Sequence, residues 1–222
     1  MGGSASREVG LGVVLALQVV MMFALAPLAA MQILSPLVLD VFRMTLAAAA
    51  VMLLARHRLV SAAITVTFLV SVVLSISFQS STAASTLALE RCVALTAFDL
   101  AIAWAVTNVA FGAGRVSAYR VMGAVILYLS IALVFANTYR ACALLLDSAF
   151  SGPKLGAGGD FLNNSMYFSL STLTTTGYGD ITPVHPLVRS LANLEAVIGQ
   201  LFPATLLARL VTLHAAGETT RP

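Results

Sequence analysis

From Leu11 to Leu34 the chain runs without a charged residue, and stretches of the same kind recur along its length. About 20 helical residues cross a hydrocarbon core, and only a backbone whose polar groups are satisfied internally survives there. The chain is therefore expected to be an all-α integral membrane protein. Composition agrees: 59% of the 222 residues are hydrophobic and 9% charged, whereas roughly a quarter of a soluble domain is charged. A net charge of +3 would fit a nucleic-acid partner, but the basic residues are scattered rather than gathered on one face. They serve instead as topology signals, and no nucleic acid is expected to bind.

Met1 to Gly10 is a short polar leader carrying Arg7 and Glu8. The first span follows from Leu11 to Leu34. A cleavable secretory leader is the rival reading, because Ala24-Leu25-Ala26 has the look of a cleavage site. The apolar run continues well past Ala26 and Glu8 offsets Arg7, so a retained span is expected, with Pro27 as a kink that a bundle tolerates. Ser35-Pro36 starts a second helix with proline at its first position. That span runs from about Leu37 to Ala55, holds Asp40 and Arg43, and ends at Arg56, His57 and Arg58. A third covers about Leu59 to Phe78. The polar, small residues between Gln79 and Arg91 read as a loop. The fourth span runs from Cys92 to about Phe111, the fifth from Ala118 to Leu146 and the sixth from Leu187 to His214. Cys92 and Cys142 lack metal-ligand spacing and are read as apolar fillers.

The stretch from Asn163 to Asp180 sits between the last two spans. Asn163, Asn164 and Ser165 are good helix starters, since their side chains accept from free N–H groups. A short helix from there leads into Thr174-Thr175-Thr176-Gly177-Tyr178-Gly179-Asp180. This run resembles the selectivity-filter signature T-x-G-Y-G-D of bacterial potassium channels, in the two-transmembrane/P-loop ion-channel superfamily. The resemblance implies a tetrameric pore, with a re-entrant pore helix and filter between spans five and six. A potassium ion sheds its water only where rings of backbone carbonyls replace it. Pointing consecutive carbonyls at one axis demands residues that reach positive φ, as Gly177 and Gly179 do without penalty. The resemblance makes the carbonyls of Thr175, Thr176, Gly177 and Tyr178, with the Thr175 hydroxyl, the K+ ligands. It gives Tyr167 and Phe168 to the aromatic pair that packs around Tyr178. Where the family more often has valine or isoleucine, Thr176 adds a hydroxyl behind the filter. The carboxyl end of the pore helix, carrying partial negative charge, would face the middle of the membrane and favour a cation.

Three parts follow: a four-helix membrane domain over 1–114, a pore module over 115–214 and a short cytoplasmic tail over 215–222. With both termini cytoplasmic, Arg7, Arg56, Arg58, Arg115, Arg120, Arg209 and Arg221 lie inside, and Arg91, Arg140, Lys154 and Arg189 lie outside. Short cytoplasmic loops hold the excess of basic residues, and this orientation also puts the filter on the outer face. The expected location is the inner membrane of a bacterium, crossed several times. No arginine lies between Arg91 and Arg115, so the fourth span is not an arginine-based voltage sensor.

Charges within a membrane need partners. Arg43 and Asp99 fall at similar depth and are expected to pair, with Asp40 as a competing partner. The Gly-, Ser- and Pro-rich loop from Asp147 to Asp160 reads as a mobile turret. Asp180 stands at the outer mouth, where a fourfold carboxylate ring would concentrate cations, and His185 reads as a solvated loop residue. In the sixth span, Gly199 matches the inner-helix glycine proposed as a gating hinge, with close helix packing as the alternative. Pro203 removes a helical hydrogen bond and assists a bend. Glu195 and Gln200 either hydrogen-bond the pore helix or face the cavity. One filter loop per chain predicts a homotetramer in the lipid bilayer, with three identical subunits as partners and no cofactor beyond permeant K+. A nonselective cation channel and a potassium-transporter subunit are the alternative functions. No Ser/His/Asp group, metal-spaced histidine cluster or phosphate loop points to an enzyme.

Overall fold

The computed structural model describes residues 2–54, 84–110, 118–153, 155 and 161–218, with isolated positions at 62, 65, 66, 69, 70 and 73. The expected third span, the basic cluster Arg56-His57-Arg58 and the turn at Gly112 to Arg115 lie largely or wholly outside these residues. What is described is almost entirely helical.

Helix α1 (Gly2–Val20) continues through one π-helical turn (Met21–Leu25) into α2 (Ala26–Ala30). Pro27 has no N–H to donate back to the preceding turn. The helix widens just before it, and the Ala26 N–H bonds to the Met21 carbonyl five residues back. The expected kink thus takes the form of a π-bulge. After a tight turn in which Gln32 adopts a φ of 59°, α3 (Pro36–Leu54) begins at the expected proline. Helix α4 (Ala84–Ala110) corrects the loop read between Gln79 and Arg91. Alanine and leucine at 84, 87, 88 and 89 are strong helix formers, no glycine or proline interrupts them, and Ala88 and Cys92 are buried.

Helix α5 (Ala118–Leu145) is the central post: α4, α1 and the pore helix all pack on it. Helix α6 (Phe161–Leu173), the expected pore helix, and the long α7 (Pro186–Glu218) complete the described residues, joined to the turret by a two-stranded ribbon, β1 (Phe150–Ser151) with β2 (Thr182–Pro183). Among the described residues, three helical stretches are long and apolar enough to cross a membrane: Val9–Ala30, Arg120–Leu145 and Pro186–Ala208. They correspond to the first, fifth and sixth expected spans.

Three apolar clusters hold these helices. One joins α1, α3, α4 and α5 around Leu11, Leu46, Phe98 and Ile126. A second sets Met21, Met22 and Ala26 against Leu133 and the pore-helix residues Met166 and Leu173. The third, around Tyr139, carries the filter region. A polar knot lies beside the first cluster. Asp99 and Arg43 are each only 7% exposed. The Asn137 amide donates to Asp99 Oδ2 at 2.9 Å, and Arg43 stands near enough to act on Asp99 electrostatically. The Asp40 side chain lies outside the described residues. Stripping one member from a buried ion pair typically costs about 3–5 kcal/mol, so Arg43→Ala and Asp99→Ala are each expected to destabilise strongly. In detergent unfolding the double variant should lose less than the sum by about 0.5–3 kcal/mol; additive losses would separate the two charges.

Candidate functional site

The pore helix ends at Leu173, and the loop that follows is fastened to its last turn. The N–H groups of Thr176 and Gly177 both reach the Ser171 carbonyl, at 2.8 and 3.1 Å, and the Thr175 N–H reaches the Thr172 carbonyl at 2.9 Å. Carbonyls that a helix end leaves without partners are thereby used to anchor the loop. The helix begins at Phe161, two residues before Asn163. Asn163 and Asn164 therefore lie inside its first turn instead of capping it, and Ser165 is fully buried.

The backbone from Thr175 to Gly179 alternates in hand. Positive φ occurs at Thr175 (57°), Gly177 (57°) and Gly179 (80°), with Thr176 and Tyr178 between them in ordinary conformations. Alternating the sign of φ turns successive carbonyls toward one side of the strand. At Gly177 and Gly179 an added Cβ would meet nothing within 4 Å, so conformation, not space, requires glycine there. The sequence reading named Thr175 as an ion ligand but did not anticipate its left-handed backbone. A β-branched residue at positive φ is an outlier and persists only where its surroundings determine it. Those surroundings include Gln200, whose amide donates to Thr175 Oγ1 at 2.8 Å.

The side chains of the loop and its neighbours are also tied. Thr174 Oγ1 donates to the Leu170 carbonyl at 2.7 Å and lies 2.8 Å from Thr176 Oγ1. With the single Thr174 proton already committed, Thr176 is the donor of that second bond. The hydroxyl that departs from the usual valine therefore pins the loop. Tyr167 stacks on Tyr178 with ring centroids 5.6 Å apart and planes 9° apart, and its hydroxyl donates to Asp180 Oδ1 at 3.0 Å. Phe168 has other neighbours. Within one chain it turns away from Tyr178 and packs edge-on against Tyr139 (4.9 Å) and Phe150 (5.3 Å), because neighbouring positions on a helix face different directions.

The turret is likewise more built than its composition suggests. Phe150 and Ser151 pair with Pro183 and Thr182, the Ala149 carbonyl accepts from the Val184 N–H at 3.0 Å, and Gly152 passes directly against the Asp180 carbonyl. Strand pairing with Thr182 and Pro183 outweighs the local Gly/Ser/Pro content over these residues. His185 accepts through Nδ1 from the Leu187 N–H at 3.3 Å, at the start of α7, and Arg189 Nε donates to the Pro183 carbonyl at 3.0 Å.

Three consecutive devices bind α7 to the pore helix. Glu195, 0% exposed, accepts from the Tyr139 hydroxyl at 2.6 Å and lies 2.5 Å from Ser169 Oγ, which also donates to the Ala132 carbonyl at 2.8 Å. One turn on, Gly199 packs so tightly on the end of the pore helix that an added Cβ would stand 1.8 Å from the Leu173 carbonyl oxygen, which also accepts from the Tyr128 hydroxyl at 3.2 Å. Then comes Gln200 with its bond to Thr175. Glycine at 199 thus has a packing reason. Pro203, inside the same helix, leaves the Gly199 carbonyl without its usual donor four residues on. Tyr128, Tyr139 and Ser169 escaped the sequence reading; polar groups facing Glu195 from other apolar helices were the available signal. The Arg43–Asp99 knot lies apart from these devices. Among the described residues no group of histidine, cysteine, aspartate and glutamate could hold a metal, and Cys92 and Cys142 are free thiols.

Gly199→Ala would drive a methyl group into backbone. We expect about 1–3 kcal/mol of destabilisation, the usual cost of overpacking, with a lowered melting temperature in detergent. An unchanged melting temperature would show that α7 can move off the pore helix freely.

Residues 124–215 match a family described as ion channel. Over 75 residues, 34% of this chain, the sequence is 35% identical to an inward rectifier potassium channel, Kirbac3.1 of Paramagnetospirillum magnetotacticum, and covers 23% of that protein. It is 34% identical over 87 residues to protein LctB of Bacillus caldotenax and of Geobacillus stearothermophilus, covering 38% of this chain and 64% of each relative. The chain thus spans less than two thirds of the curated relatives it matches. No solved structure matches it significantly. The matched residues 124–215 hold helix α6, the Thr175–Gly179 loop and most of α5 and α7, and over them this chain is similar to ion channels, an inward rectifier potassium channel among them.

Proposed function

We propose that four copies of this chain surround a common axis and conduct K+ passively and selectively across the bacterial inner membrane, with six spans per subunit and both termini cytoplasmic. In this reading the carbonyls of Thr175, Thr176, Gly177 and Tyr178 and the Thr175 hydroxyl replace the water shell of the ion. Asp180 gives each subunit one carboxylate at the outer mouth. Gly199 and Pro203 form the point at which the inner helix yields on opening. The reading involves no catalytic chemistry.

One observation carries it. The positive φ values at Thr175, Gly177 and Gly179 give the loop a row of carbonyls turned one way, which a plain turn has no need of. Assembly is supported by α7, whose Leu187, Leu194, Val197, Leu201 and Leu207 are all exposed in the single chain; continuous exposed apolar surface marks an interface or a lipid contact. Pinning of Thr176 and Tyr178 from behind favours a selective filter over a nonselective one.

Purified protein in planar bilayers with K+ on one side and Na+ on the other is expected to reverse near the K+ limit. Reversal near zero with clear channel events would make it a nonselective cation channel. A monomer or dimer that still conducts would remove the tetramer. Gln200→Leu abolishes the bond to Thr175 Oγ1 and is expected to lower the K+/Na+ permeability ratio about tenfold, the equivalent of about 1.4 kcal/mol, while tetramers still form on native gels. A ratio equal to that of the wild type would free the filter from Gln200.

A further inference from the structure

Hydrogen-bond valence at Ser169 fixes the state of the glutamate behind the pore helix. A serine hydroxyl has one proton to give. Ser169 Oγ lies 2.8 Å from the Ala132 carbonyl, which can only accept, and 2.5 Å from Glu195 Oε1. Both contacts are hydrogen bonds only if Glu195 supplies the second proton. On its other side Glu195 Oε2 already accepts from the Tyr139 hydroxyl at 2.6 Å, so Oε1 carries the acid proton. The chain of donors then runs one way, from Tyr139 to Glu195 to Ser169 to the Ala132 carbonyl.

From this geometry we infer that Glu195 works as a neutral carboxylic acid, and that in this form it is the positioning residue that locks the pore helix between α5 and α7 for conduction. Burial agrees, since Glu195 and Ser169 are both 0% exposed and a charge at such depth is costly. A carboxylic acid kept neutral by an apolar site to serve as a hydrogen-bond donor is an established device. The titratable groups that face Glu195 are both on α5: Tyr139, with Cys142 one turn beyond it, and Tyr128. From the pore helix comes only the Ser169 hydroxyl, and among the described residues no cation stands beside the carboxyl group. Ionisation would leave Ser169 one proton for two acceptors, and either the tie to α7 or the tie to α5 would be lost. Ser169 lies one turn before Leu173, on which Gly199 is seated, so that loss would loosen the helix end from which the filter hangs.

The effect on conduction rests on the channel reading; the protonation state does not, and the test separates them. Full-length protein labelled with carbon-13 only in its glutamate carboxyl groups, reconstituted in lipid, should show the infrared band of a protonated carboxyl at neutral pH. The aspartates are silent in that spectrum, and Glu195→Gln should lack the band. Glutamine reproduces the neutral acid, with its N–H donating to Ser169 and its carbonyl accepting from Tyr139. Glu195→Gln should therefore keep K+ flux into vesicles within about twofold of wild type at neutral pH. Wild-type flux should fall at least tenfold at alkaline pH, whereas the Gln variant should stay flat. No protonated-glutamate band in the wild type overturns the inference, even where the variant fails to fold. So does a folded Gln variant that has lost its flux, or one that shows the same alkaline fall. If the band is present but neither protein passes any cation, the neutral acid stands and the channel reading fails.

Discussion

A backbone that alternates in hand from Thr175 to Gly179 is something that neither a helix nor a sheet supplies. It leaves the backbone of Thr175 to Gly179 without the ladder that normally holds a chain in shape, and it asks for left-handed conformations at three positions. Two are glycines, for which this costs little. The third is a threonine, for which it costs of order 1–3 kcal/mol. The loop must therefore be held from outside, and much of the surrounding architecture can be read as that support. Below, the Ser171 and Thr172 carbonyls take the loop's N–H groups. Behind, Thr174 and Tyr167 hold Thr176, Tyr178 and Asp180. From α7 Gln200 reaches Thr175, and at the other end the turret pairs with the chain leaving the loop.

These supports need a rigid base, and α5 provides it. Tyr139, fully buried, fills the space between α5, the turret and the pore helix through its contacts with Phe135, Phe150 and Phe168, and its hydroxyl ends on Glu195. Edge-to-face aromatic pairs gain about 0.5–1.5 kcal/mol beyond their burial. The same residue thus links apolar packing and the polar tie to α7. Away from that loop, Asp99 with Asn137, and Gln18 with Ser130 at 3.2 Å, join α4 and α1 to α5. In both places the same physics applies. A polar group that cannot reach water bonds to a neighbouring helix and fixes its register in doing so.

The sequence alone carried the membrane setting, because long uncharged runs admit few other structures. It carried the left-handed positions at Gly177 and Gly179, because glycine there is a backbone requirement written in residue types. The starts of α3 and α7 and the extent of α5 were also legible from prolines and apolar length. Tertiary structure decided what depends on who stands opposite. The left-handed turn extends to Thr175 because Gln200, 25 positions away, is there to hold it, and no local propensity announces that. Phe168 faces Tyr139 and not Tyr178, since helical direction and the position of α5 choose its neighbour. The turret's composition favours a loose loop, yet pairing with Thr182 and Pro183 shapes part of it into a strand. Glu195 is visible in the sequence as a polar residue in an apolar helix. Its partners come from two other helices, and the proton it holds follows from their distances, which only the folded chain sets.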